Sequence, residues 1–145
     1  MSTANPTILL AEDNPDTQFF IQLAIEEANL AVCVQVVKSG QEAKHYLTGE
    51  NSYADRDRYP LPVLILTNLD MSGLSGIELL EWVKQQPELK QLPVVVISSS
   101  DDPYQIKRAM KLGASSYFVK TPTFDSLIDL LMSLIPSLLT PDKET

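Results

Sequence analysis

A single cysteine, Cys33, rules out any disulfide within the chain, so packing and hydrogen bonding must hold the fold. Its neighbours Ala31, Val32 and Val34 are small and apolar, and a small buried hydrophobe is expected there rather than a reactive thiol. Basic residues are scarce, 11 against 19 acidic, for a net charge of −8. Nucleic-acid binding needs clustered Lys and Arg to neutralise phosphates, and no such cluster is present. The one histidine, His45, has no histidine or cysteine near it and is not expected to ligate a metal. No apolar run approaches the roughly 20 residues that span a membrane. Residues 1–6 lack the basic and apolar regions of a signal peptide. The expectation is a cytoplasmic protein with neither nucleic acid nor membrane as partner. No internal repeat, low-complexity segment or second set of elements is visible, so no attached output domain is expected.

What is present is enough for one domain with a real core: 145 residues, 44% apolar and 21% charged. A chain of this size buries roughly 70% of its unfolded surface. Apolar runs alternate with amphipathic stretches, the pattern of a parallel sheet with helices on both faces. Strands are expected at about 7–11, 32–37, 63–67, after Pro93, and at about 115–119. Asn14 or Asp16 caps a first helix that has Pro15 in its opening turn and Phe20, Leu23, Ala24 and Ala28 on one face. Ser39 and Glu42 stand at capping-box spacing before a second helix, which Gly49 closes. Residues 50–62 read as a surface loop. A third helix runs to Gln86, ahead of Pro87. Asp101, Asp102 and Pro103 open a fourth that ends at Gly113, and a last helix spans about 123–138. The fold class is therefore α/β, a doubly wound five-stranded parallel sheet of (βα)5, flavodoxin-like form. Residues 1–6 are expected to be a flexible N-terminus, 7–138 the domain, and 139–145 a tail.

Ligands of open parallel sheets bind outside the carboxyl ends of the strands, where strand order reverses. Those ends are polar here. Glu12 and Asp13 follow the first strand, Asn68 and Asp70 the third, Ser98 the fourth and Lys120 the fifth. Adjacent acids suit a hard cation such as Mg2+, and a lysine opposite them supplies a point charge for a phosphoryl oxygen. A serine hydroxyl adds a hydrogen bond. Together they form a pocket for phosphoryl transfer to a carboxylate, a reaction driven by positioning and charge neutralisation. Glu12 and Asp13 also fit a plain acidic pair at a helix start. Ser98 also fits ordinary loop material with Ser99 and Ser100.

Four segments carry a family resemblance: Ile8-Leu9-Leu10-Ala11-Glu12-Asp13-Asn14, Leu64-Ile65-Leu66-Thr67-Asn68-Leu69-Asp70-Met71-Ser72-Gly73, Pro93-Val94-Val95-Val96-Ile97-Ser98 and Gly113-Ala114-Ser115-Ser116-Tyr117-Phe118-Val119-Lys120. In order and over about 7–138, the chain resembles the response-regulator receiver family of two-component phosphorelays. Residues 50–62 and 84–93 resemble the single-domain regulators paired with cyanobacterial phytochromes. The resemblance implies a signalling domain, not an enzyme, whose partner is a sensor histidine kinase, with a bacterial phytochrome as the candidate. It implies Mg2+ held by Glu12, Asp13 and the backbone carbonyl of Asp70, phosphoryl contacts from Lys120 and Ser98, and a switch pair in Ser98 and Tyr117. Tyr117 equally fits a partly buried strand tyrosine.

The chain departs from the family at one decisive position. Asn68 aligns with the phosphoacceptor aspartate, and an amide has the shape of a carboxylate but no anionic oxygen. It is expected neither to attack phosphohistidine nor to add charge for Mg2+. Ser72 stands where the family has proline after Met71. Thr121, with Pro122 next, stands where the family has proline after the lysine, so the proline that favours the family's cis peptide is missing at that position. The reading is a phosphorylation-independent receiver acting through protein contacts. Three alternatives stay open: an ordinary receiver carrying an engineered Asp→Asn change, phosphorylation at Asp70, and a Mg2+-dependent phosphatase. The last helix has more apolar residues than one sheet face needs, among them Phe124, Leu127, Leu130 and Leu134. With the resemblance, this implies a homodimer through the fourth helix, fifth strand and fifth helix.

Overall fold

The computed structural model describes residues 5–69, 75–119 and 128–133. The expectations for residues 1–4, for Asp70 and the turn after it, for Lys120, Thr121 and Pro122, for most of the last helix and for the tail lie outside them. The strands are β1 (Thr7–Ala11), β2 (Cys33–Val37), β3 (Leu64–Thr67), β4 (Val94–Ser98) and β5 (Ser116–Val119). The helices are α1 (Pro15–Glu27), α2 (Gly40–Thr48), α3 (Gly76–Gln85) and α4 (Pro103–Lys111). A further helical segment, α5, is described over 128–133.

All strand pairs are parallel, in the order β2-β1-β3-β4-β5. Strand order reverses between β1 and β3, so their carboxyl ends flank the switch-point crevice. Burial follows position in the sheet. The central strands β1, β3 and β4 are buried along their whole length, as apolar runs covered on both faces must be. Alternation along each strand then divides the core in two. Leu9, Ile65, Val94 and Val96 face Leu80, Val83 and Ala109 on the side of α2, α3 and α4. Ile8, Leu10, Leu66 and Ile97 face Ile21, Ala24, Ile25 and Leu131 on the side of α1 and α5.

The helix starts are set by local chemistry. Asn14 caps α1: its Oδ1 accepts from the N–H groups of Asp16 (2.8 Å) and Thr17 (3.1 Å), ahead of Pro15 in the first turn. Asn14→Ala is expected to cost about 1 kcal/mol in urea denaturation, without a change in denaturant slope. Ser39 Oγ accepts from Glu42 N–H (3.0 Å). Gly49 closes α2 with φ +75°, a left-handed conformation that a side chain disfavours.

Four sequence expectations need correction. Cys33 is exposed, not buried: it opens β2, which among the described residues is an edge strand paired with β1 alone, so one side of it is uncovered. The inner face of α1 centres on Ile21, Ala24, Ile25 and Ala28, with Leu23 only half-buried at its margin. Ser39 and Glu42 form half a capping box, because Glu42 Oε1 accepts from Lys38 N–H (2.8 Å) rather than from Ser39. Residues 50–62 are more than a surface loop. They contain a 3-10 turn at Asn51–Tyr53, and Tyr53 and Tyr59 pack on the buried Tyr46. Arg56 donates to the carbonyls of Tyr46 (2.8 Å), Leu47 (2.9 Å) and Tyr59 (3.1 Å), which satisfies the end of α2 and fixes the segment beneath it.

Candidate functional site

Glu12 leaves β1 directly at the switch point, with its backbone held from both sides. Its N–H donates to Val37 carbonyl (2.9 Å), and its carbonyl accepts from Gln18 Nε2 (2.6 Å), one turn into α1. The side chain points inward and is 1% exposed. A buried carboxylate must be hydrogen-bonded or charge-paired. Two of the donors to Glu12 Oε2 are Asn14 N–H and Asn68 Nδ2, both at 3.2 Å. Asp13 follows, half-buried at the rim.

Asn68 arrives from the other side of the crevice. Its N–H donates to Ala11 carbonyl (3.0 Å), continuing the β1–β3 ladder one residue past the strand. Its carbonyl accepts from Thr67 Oγ1 (2.9 Å) and lies against Gly76, the first residue of α3. The side-chain amide has a defined orientation: Oδ1 accepts from Leu69 N–H (2.7 Å), which leaves Nδ2 to face Glu12.

Ser98 ends β4, the strand beside β3, and is 2% exposed. Its Oγ accepts from Ser100 N–H (3.0 Å). Tyr117 on β5 is half-buried, and its hydroxyl donates to Ser100 carbonyl (2.9 Å). Both side chains thus hold the backbone of one residue in the β4–α4 connection. The structure brings Glu12, Asp13 and Asn68 together at one crevice, with Ser98 on the neighbouring strand end. Asp70 and Lys120 lie outside the described residues.

Three contributors were missed in the sequence. Asn14 was visible as a helix cap, but its N–H bond to Glu12 was not. Gln18 reaches Glu12 only because α1 turns its side chain back over the end of β1. Gly76 stood in a Gly-containing turn, with nothing to mark its contact with Asn68.

Comparison with known proteins finds the family described as "Response regulator receiver domain" over residues 8–132. The chain is 26% identical over 133 residues to response regulator Rcp1 of Synechocystis, covering 90% of this chain and 88% of Rcp1. It is 30% identical over 115 residues to the two-component response regulator ORR1 of Oryza sativa, covering 78% of this chain but 48% of that protein. Among solved structures, the phosphorylated cyanobacterial phytochrome response regulator RcpA superposes with TM-score 0.83 at 31% identity, covering 94% of this chain and 96% of that one. A Mn2+-bound form of Rcp1 superposes with TM-score 0.77 at 26% identity, covering 88% and 90%. With the 2-1-3-4-5 sheet and the acidic crevice in place, the match over 8–132 identifies the family: this chain belongs to the response regulator receiver domains of two-component signalling.

Proposed function

We propose that this receiver works without taking up a phosphoryl group and signals through protein contacts. The single observation that carries the reading is Asn68 at the switch point, an amide hydrogen-bonded to Glu12 where an acceptor would need a free anionic oxygen. Receiver domains interact with sensor histidine kinases and are generally signalling rather than enzymatic domains. The kinase proposed here is of the bacterial phytochrome kind, supported by the likeness to Rcp1 and RcpA. The domain is taken to span 7–138, to act in the cytoplasm, and to pair with a second copy through α4, β5 and α5. Tyr104 and Met110 on α4 and Met132 on α5, all exposed apolar side chains, support that pairing. Ser98 and Tyr117 are proposed as the switch pair, because both bind the backbone of Ser100. Lys120, which follows β5 in the sequence, is proposed with Ser98 as a residue that would contact a phosphoryl group.

Receiver domains typically bind Mg2+. Glu12 and Asp13, with the Asp70 carbonyl, are the groups that would hold such an ion if position 68 were a carboxylate. Asn68 fits that role poorly: its oxygen accepts from Leu69 N–H and its NH2 group is turned into the acidic crevice.

The test is intact-mass spectrometry after treatment with acetyl phosphate and Mg2+, for this protein and for Asn68→Asp, with hydroxylamine to reveal an acylphosphate. The expected result is no labelling of this protein and one hydroxylamine-sensitive phosphate on the variant. Labelling of this protein itself would put the acceptor at Asp70 or another carboxylate and would end the phosphorylation-independent reading.

A further inference from the structure

Glu12 is an almost fully buried carboxylate with a second acid, Asp13, next to it in sequence, in a chain of net charge −8. Such a group stays ionised inside a fold only if donors or a cation compensate it. The Asn68 amide cannot turn round at no cost. Flipped, its NH2 would meet the Leu69 N–H and its oxygen would meet the Glu12 carboxylate, so both present bonds would be lost. A carboxylate at 68 could keep the Leu69 bond with one oxygen. Its second oxygen would then stand 3.2 Å from Glu12 Oε2, with no hydrogen between them. A cation or a shared proton would be needed to relieve that contact.

We propose that Asn68 Nδ2 takes the place of a divalent cation in this pocket, so that the acidic crevice is satisfied from within the chain and takes up no Mg2+ at low millimolar concentration. The proposal rests on reading position 68 as the place of the family's acceptor carboxylate. It goes further than the loss of an acceptor, because the amide supplies a bond that the carboxylate would lack. The receiver would then hold one metal-independent pocket state whatever the supply of cation or phosphoryl donor.

The test is thermal melting of the full chain and of Asn68→Asp, each in EDTA and in about 10 mM MgCl2. The parent is expected to melt within about 1 °C in the two buffers, since a ligand that does not bind the folded state cannot raise its melting point. The variant is expected to melt about 5 °C lower than the parent in EDTA and to recover about that much in MgCl2. An equal rise in the parent would overturn the proposal. Calorimetric titration of the parent with MgCl2 decides the matter even if the variant does not fold: no saturable heat is expected, and a Kd below about 1 mM would overturn the proposal. The two readings fail separately. Acetyl phosphate labelling of a parent indifferent to Mg2+ would remove the proposed function alone, whereas tight Mg2+ binding by an unlabelled parent would remove this inference alone.

Discussion

Gly76→Ala is expected to destabilise the domain by about 3 kcal/mol or more, near the top of the range for overpacking. A Cβ at Gly76 would lie 1.9 Å from the carbonyl oxygen of Asn68, 2.9 Å from its carbonyl carbon and 3.0 Å from Leu69 Cα. All three are backbone atoms, so no side chain can swing away. Nor can α3 easily retreat. Gly76 N–H donates to Leu69 carbonyl (2.9 Å), and Ser75 and Glu78 close a full capping box around the helix start. Backing the helix off would also draw Ile77 and Leu80 out of the core. Urea denaturation measures the loss. The sign is informative, because alanine is the better helix former by up to about 1 kcal/mol and would stabilise α3 if there were room. A variant as stable as the parent would show that β3 and α3 can separate at the site. The expected collateral effect is a displaced Asn68, since the crowded carbonyl also accepts from Thr67 Oγ1.

That contact marks the boundary of what could be read from the sequence. Signals that act within a few residues were legible. Asn14, Ser39, Gly49 and the Asp102-Pro103 pair mark helix ends through bonds to backbone next to them, and all four hold in the structure. Strands apolar on both faces announced the covered sheet, and the carboxyl-end rule then picked out Glu12, Asp13, Asn68 and Ser98 without any contact being known. What required the assembled fold stayed hidden. Cys33 has the composition of a core residue, and only the strand order makes β2 an edge. The orientation of the Asn68 amide depends on Leu69 N–H, and its partner Glu12 is 56 residues away in sequence. The segment 50–62 is polar enough to read as loop, yet three tyrosines and an arginine join it to α2.

This tyrosine cluster gives the second large effect. Tyr46 is fully buried, with the Tyr53 ring centroid at 5.0 Å and that of Tyr59 at 5.9 Å, while Tyr53 and Tyr59 meet edge-on at 5.0 Å. Its hydroxyl donates to Pro60 carbonyl (2.8 Å), and Tyr53 OH donates to Glu42 Oε2 (2.6 Å). Tyr46→Ala removes the ring on which the other two rest and is expected to cost about 3–5 kcal/mol. Tyr46→Phe keeps the ring and loses one hydrogen bond, at about 1 kcal/mol. The two hydroxyls also set an alkaline limit. Burial pushes Tyr46 up to about 12, against the pull of the nearby Arg56 guanidinium. Tyr53 is also pushed up, first by burial and then by its hydrogen bond to Glu42. A pKa raised in the folded state means that the unfolded chain gives up its proton first, from the ordinary value near 10. The stability these groups contribute is therefore complete below about pH 10 and is lost as pH rises above it, through about 12 for Tyr46 and further still for Tyr53. Urea midpoints are expected to be level from about pH 8 to 9.5 and to fall beyond 10. The fall should be shallower in Tyr46→Phe, which has one fewer buried proton to lose. An equal fall in parent and variant would assign the alkaline transition to groups other than Tyr46.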